Sequence, residues 1–415
     1  MDVFGKVRQG WAARFACLTV LAAFAASPAA AVEDLQDWLP PGSKIETTLT
    51  ERPARWIESE MKGGQMGYLA RLGELVFRSP LTLGRDAARR GISCDTCHPN
   101  GATNVNFFVS GASDRPGNVD VSHAAFHYRQ DDGLRNPVNI PSLRGVRFTA
   151  PYGRDGRFPD LRQFSRNVIM IEFGGPAPPE WQLDAMTAYM HELSMPPNER
   201  RFAAIPGLLA YNRHCVQCHA GARDFAQGHR WDVGTGGYFE APSLIGLAET
   251  APYLHDGSAA TVRDAVLAHV DAMMAHPVSA EDLEGALRYV EALGAVDRRY
   301  DPETLPGDTE RLKGFLEVLN QPLLDEDAER ADLIADMVAM EIGRIFRRFD
   351  QKAATARGAI TEWGKALKRA ADEARERDFP GARAEIWRLK QAIDNDLPLL
   401  RTEIALSLYG SAGTE

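Results

Sequence analysis

The apolar residues of this chain recur mostly at helical spacing. Pro179-Glu180-Trp181-Gln182-Leu183 leads into Met186, Tyr189, Met190 and Leu193, one face of a predicted helix. Ser279-Ala280-Glu281-Asp282-Leu283 leads in the same way into Leu287, Val290 and Leu293. Ser279 with Asp282 has the form of a capping box, with Asp in place of Glu, and predicts a helix start. Val262, Ala265, Val266 and His269 share a face of a further helical stretch. Two more faces lie in the charged, Ala-rich last third: Leu333, Met337, Met340 and Ile345, then Ala384, Ile386, Leu389, Ile393 and Leu397. Phe379-Pro380-Gly381 separates them. Few segments alternate at the period of a strand, so the expected fold class is mainly α.

One apolar run is of a different kind. Phe15 to Ala26 follows Lys6, Arg8 and Arg14 and precedes Ala29-Ala30-Ala31, small residues just before Val32. This is the pattern of a secretory signal, and the run is too short to span a bilayer. Cleavage after Ala31 would leave an exported, soluble, periplasmic chain.

The pattern also repeats. Pro141-Ser142-Leu143-Arg144-Gly145 recurs as Pro242-Ser243-Leu244-Ile245-Gly246, Thr149-Ala150-Pro151-Tyr152 as Thr250-Ala251-Pro252-Tyr253, and Asp155-Gly156 as Asp256-Gly257. Every pair is offset by 101 residues, with no gap. The expected organisation is a signal peptide at 1–31, one unit at 32–200, a related unit at 201–299 and a helical extension at 300–415. Tyr300 to Pro306, with two prolines, reads as the linker into the extension. The extension holds no Cys or His and reads as structural, with a docking or homodimer face as the alternative.

Length and charge narrow the class. The 415 residues exceed one ordinary core. The formal charge is −10, and removing a signal with three cations and one acid leaves about −12. That balance argues against non-specific nucleic-acid binding and suits a basic protein partner.

The cysteines carry the candidate chemistry. Cys17 falls in the signal, and the other four form Cys94-Asp95-Thr96-Cys97-His98 and Cys215-Val216-Gln217-Cys218-His219. C-x-x-C-H is the attachment pattern of c-type haem. Two thiols one helical turn apart reach the two vinyl groups of a porphyrin, and the next side chain presents an imidazole to the iron. A redox dithiol or half of a zinc site is the alternative for a single motif. Two motifs, each ending in His, in an exported chain favour two covalently bound haems c, with His98 and His219 as iron ligands. The haem motifs are 121 residues apart rather than 101, so the first unit holds about 20 extra residues within Pro99 to Arg135. They read as a long loop, and they include His123 and His127.

Leu75-Val76-Phe77 before the first motif, Arg135-Asn136, Asp155-Gly156-Arg157 and the run from Thr250 to Gly257 resemble landmarks of the bacterial di-haem cytochrome c peroxidase and MauG family. The likeness covers roughly Gly73 to Gly294. It implies hydrogen peroxide as substrate at the first haem and electrons passed by the second. Its alternatives are MauG-like oxidation of a side chain in a partner protein, or a non-catalytic electron carrier. The implied partner is an electron donor such as a small cytochrome c or cupredoxin. The likeness also implies a calcium ion held by Asn136 and the carbonyls of Thr250 and Pro252, hard oxygen donors of the kind calcium takes.

By the same likeness, His127, or His123, would be a distal ligand of the first haem, against a loop histidine. Glu172 would be the distal acid, against a surface Glu at a helix end. His269 would be the sixth ligand of the second haem, where the family usually has Met or Tyr. The alternative is a core or surface histidine with Met273 or Met274 as ligand. His255 reads as a hydrogen-bonding neighbour of the site. Arg154 stands where the family's peroxidases usually carry Trp between the haems, which leaves Tyr152 or another aromatic as the relay.

Overall fold

The computed structural model describes Leu39 and residues 51–127, 131–198, 206–219, 230–232, 237–273 and 278–411. The expected signal lies outside them. Among the described residues the chain is mainly helical. The strands form three short antiparallel pairs: β1 (Glu51–Pro53) with β6 (Tyr300–Pro302), β2 (Asn118–Val119) with β3 (Val138–Asn139), and β4 (Arg230–Asp232) with β5 (Tyr238–Glu240). No described helix is long and apolar enough to cross a membrane.

The first unit rests on α1 (Tyr68–Arg78), the one-turn α2 (Cys94–Cys97), α3 (Leu161–Asn167) and α4 (Glu180–Glu192). The apolar face predicted for α4 is the buried one: Leu183, Met186, Tyr189 and Met190, with Leu193 just beyond its end. It packs on Leu72, Leu75, Val76 and Phe77 of α1, and Phe77 meets Tyr189 at 5.3 Å between ring centroids. Each such fully buried side chain contributes about 1.5–3 kcal/mol. Gly73 sets the approach of the two helices, because a Cβ there would lie 1.8 Å from the Ala185 carbonyl oxygen.

The second unit repeats the arrangement with α5 (Leu208–His214), α6 (Val262–Met273) and α7 (Ala280–Gly294). Here Gly207 sits 1.8 Å, measured from an added Cβ, from the carbonyl oxygen of Gly285. Tyr211 and Tyr289 meet beside that crossing with tilted rings, 4.5 Å between centroids. Ser279 caps α7 by accepting the Asp282 N–H at 3.1 Å. The Asp282 carboxylate pairs with Arg213 and His214, so the cap is one half of the predicted box.

The segment Pro99 to Arg135, expected as a long loop, is packed where it is described. Phe107, Val109, Ala112, Val119 and Phe126 belong to the main core, and β2 pairs with β3 at its end. Phe126 meets the Phe173 ring edge-on at 5.6 Å. Polar residues dominate its composition, and the few apolar side chains among them are the ones that turn inward.

The last third is a four-helix bundle of α8 (Leu305–Leu324), α9 (Ala328–Arg347), α10 (Ala354–Arg375) and α11 (Phe379–Thr402). Each helix packs on the next, and α8 closes on α11. Met337, Ile345, Ile386, Leu389 and Ile393 are buried as the pattern predicts. Trp363 lies at the centre, with its indole N–H donating to Asp396 at 2.8 Å. The break before Phe379 is real: Asp378 caps α11 by accepting the Gly381 N–H at 3.0 Å. The expected linker is not one. Tyr300–Pro302 is the strand β6 held by β1, and Pro306 lies in the first turn of α8, where its missing N–H costs nothing. Helices α8 and α9 lie on α1, so bundle and first unit share one core.

Candidate functional site

Ser93 starts α2 with a full capping box, its N–H donating to Thr96 Oγ1 at 3.0 Å. The turn places Cys94 and Cys97 on one side, and the His98 N–H closes it on the Cys94 carbonyl at 2.8 Å. The imidazole of His98 is fixed from behind, with Nδ1 2.9 Å from the carbonyl oxygen of Pro141. A carbonyl only accepts, so Nδ1 carries the proton and Nε2 is the unprotonated nitrogen, the one able to bind a metal. The histidine of the second motif is held in the same way. The His219 N–H bonds to the Cys215 carbonyl at 2.8 Å, and Nδ1 lies 3.0 Å from the Pro242 carbonyl. This is the tautomer that an iron-binding histidine needs.

The two supporting carbonyls belong to the repeated Pro-Ser-Leu element, and its surroundings repeat as well. Ser142 Oγ accepts the Arg144 N–H and Ser243 Oγ the Ile245 N–H, both at 3.2 Å. Thr149 and Thr250 each donate to the carbonyl three residues back at 3.0 Å. Tyr152 bridges Phe158 as Tyr253 bridges Ala259. The sequence repeat marks the element, but its use as a rest for the histidine rings is visible only in the fold.

Burial pushes Cys94 up to about 12 and Cys215 up to about 11, whereas redox dithiols and thiolate ligands rely on lowered values. Among the described residues no group of three His, Cys, Asp or Glu could close a metal site around either pair. Burial also lowers His98 to about 4, which keeps its imidazole neutral, the form that binds iron.

Asp95, between the first two cysteines, is buried and ion-paired with Arg52 at 2.6 Å, Arg344 at 3.2 Å and Arg78 at 3.5 Å. Burial works to raise its carboxyl, but the three guanidinium groups outweigh it and hold it well below the usual range. Arg78 also pairs with Glu341 at 2.9 Å. Glu341 and Arg344 lie on α9, so the bundle reaches the Cys94–Cys97 turn directly. Sequence reasoning missed this cage because its members lie far apart in the chain.

The other predicted residues are placed as follows. Glu172 ends a π-helical turn, Val168–Glu172, and accepts from Asn167 Nδ2 at 3.3 Å. Burial raises its carboxyl, against the pull of Arg157, Asn167 and Arg154. His123 turns its Nδ1 to the Ala125 N–H at 3.0 Å. His127 ends a one-turn helix, Ala124–His127, and His269 lies on α6; both side chains are outside the described residues, as are those of Met273 and Met274. His255 stacks flat on Phe239 at 3.9 Å. Tyr152 is buried and stacks with Phe164 at 6.5 Å. Asn136 is exposed, and its N–H reaches Asp120 at 3.4 Å. The residue brought to the Pro252 carbonyl is Asn139, whose carboxamide also meets the Leu254 carbonyl at 3.2 Å. The Thr250 hydroxyl points to Leu247.

No protein-family model matches the chain, and no curated protein matches it. Among solved structures, the hydrazine synthase of Kuenenia stuttgartiensis is 17% identical at a TM-score of 0.40, over 70% of this chain and 99% of that one. A MauG-like protein associated with microbial copper homeostasis is 16% identical at a TM-score of 0.37, over 59% of this chain and 92% of that one.

Proposed function

We propose that the protein is a periplasmic di-haem c-type oxidoreductase that reduces hydrogen peroxide at the haem on His98, with electrons passed by the haem on His219. The observation that carries this reading is the matched pair of histidines. Each follows a cysteine pair, and each is held through Nδ1 by the carbonyl of the same repeated proline. The residues therefore fit haem c at both places. When bound, the haems would supply two irons able to accept and donate single electrons.

The chain's own task at the first site is proton movement. Reduction takes one peroxide, two electrons and two protons to two waters. Splitting the O–O bond needs a group that carries a proton from one oxygen to the other. Glu172 suits this because burial raises its carboxyl, so it is more readily re-protonated between turnovers. A small cytochrome c or cupredoxin is the electron donor in this reading.

A calcium ion fits the seam between the units through Asn139 rather than Asn136. The Oδ1 of Asn139 is buried and has no hydrogen-bond partner among the described residues. With its amide turned over, Oδ1 would join the carbonyls of Pro252 and Leu254 as a set of hard oxygen donors.

The test is direct. A pyridine haemochrome assay should give two c-type haems per chain, and Glu172→Gln should retain both while slowing peroxide consumption about a hundredfold. Wild-type protein with both haems and no peroxide reaction in any redox state would replace the enzyme with an electron carrier.

A further inference from the structure

Arg154 lies where the two units meet, and its half-buried guanidinium has one nitrogen enclosed without an acceptor. Its backbone carbonyl accepts the Glu240 N–H at 3.0 Å, so strand β5 of the second unit pins a residue of the first. Its Nη2 is buried and has no hydrogen-bond partner among the described residues. The nearest acids are engaged elsewhere: Glu172 accepts from Asn167, and Asp256 accepts the Ser258 N–H at 2.9 Å. Desolvation outweighs the attraction of both acids and lowers the guanidinium to about 10. Its charge also acts on His98 and on His255, which reach it from opposite units.

A guanidinium in such a place needs a carboxylate or phosphate that matches its fork. Haem carries two carboxylates, and the first haem site lies within the reach of this charge. We propose that Arg154 binds a propionate of the haem held by His98, and so fixes a positive charge beside that iron. The proposal rests on the di-haem reading. The charge favours the reduced iron over the oxidised one, because reduction removes a positive charge from its neighbourhood.

The test uses the full haem-loaded chain. Arg154→Met removes the charge, and Arg154→Lys keeps it without the fork. Each haem is titrated spectroelectrochemically, and the first is assigned in a Cys215→Ala/Cys218→Ala background. Arg154→Met should cut the reduced-to-oxidised ratio of the His98 haem at fixed potential about tenfold, or about 59 mV for one electron, and leave the other haem in place. Arg154→Lys should recover most of the shift. If Arg154→Met instead loses the first haem, its retention in Arg154→Lys supports the assignment, and its loss from both overturns it. Unmoved potentials with both haems present, or a shift confined to the His219 haem, also overturn it. A wild-type chain without covalent haem would sink the di-haem reading itself, a result distinct from these.

Discussion

Between its cysteines the first motif carries Asp95, buried among Arg52, Arg78 and Arg344; at the same place the second carries Val216, at the edge of a small core of Tyr211, Ile245, Tyr289, Val290 and Leu293. The histidine geometry of the two motifs is the same within 0.1 Å at the carbonyl contact. What differs is the support. A cage of buried charges is directional, and losing one member strands the rest. An apolar edge tolerates small shifts at little cost. The first site is tied to the bundle through α9, while the second keeps its own core among the described residues. Equal histidine geometry can thus stand on unequal foundations, and the site proposed to do the chemistry stands on the stiffer one.

The largest expected effect breaks this comparison at its centre. Asp95→Ala leaves three arginines facing one another and should cost about 3–5 kcal/mol of stability. Val216→Ala removes two half-buried methyl groups and should cost about 1 kcal/mol. Urea unfolding of the full-length protein measures both. Similar losses would mean that the cage adds nothing beyond packing.

Acid should separate the two regions next. Asp95, Glu74 and Glu341 all have carboxyls lowered in the fold, where arginines outweigh burial. A lowered value stabilises the fold above the unfolded value, about 4 for carboxyls, and that contribution is lost as pH falls through the folded values. The junction of bundle and first unit should therefore hold its stability down to about pH 4 and lose it steeply below. In Asp95→Ala the same loss should be shallower. Thermal unfolding followed by circular dichroism between pH 6 and pH 2.5 gives both curves. Stability already falling between pH 6 and pH 5 in the wild type would point to other groups.

How much of this was legible in the sequence depends on how far apart the partners lie. The C-x-x-C-H motifs, the repeat at an offset of 101 residues, the faces of α4 and α7 and the break before Phe379 are local patterns, and period and spacing reveal them. The cage is not local: Arg52, Asp95 and Arg344 lie on three different elements, and nothing in their neighbours announces the contact. The linker at Tyr300 to Pro306 misled because its prolines suit a strand edge and a helix start as well as a loop. Asn136 and Asn139 are three residues apart, and only the pairing of β3 with β2 decides which one faces the second unit. Signals carried by short range were readable, and those set by the docking of bundle and units were not.

The smallest expected effect tests how α2 begins. Ser93 and Thr96 exchange both bonds of a capping box, and the preceding residue of the second motif is His214, whose ring goes to Asp282 at 3.0 Å instead. A cap satisfies N–H groups that the first turn of a helix leaves without partners. Its loss typically costs about 1 kcal/mol, and here it falls on a turn only four residues long, which has no later turns to share the loss. Ser93→Ala should therefore lower stability by about 1 kcal/mol and loosen Cys94 against Cys97. His214→Ala should change it by no more than about 0.5 kcal/mol, because Arg213 still holds Asp282 at 2.6 Å. Hydrogen exchange of the His98 and His219 amides reads the two turns separately. Faster exchange at His98 in Ser93→Ala, with His219 unchanged in both variants, is the expected pattern. Equal exchange at His98 with and without the Ser93 hydroxyl would show that the arginine cage alone holds the turn.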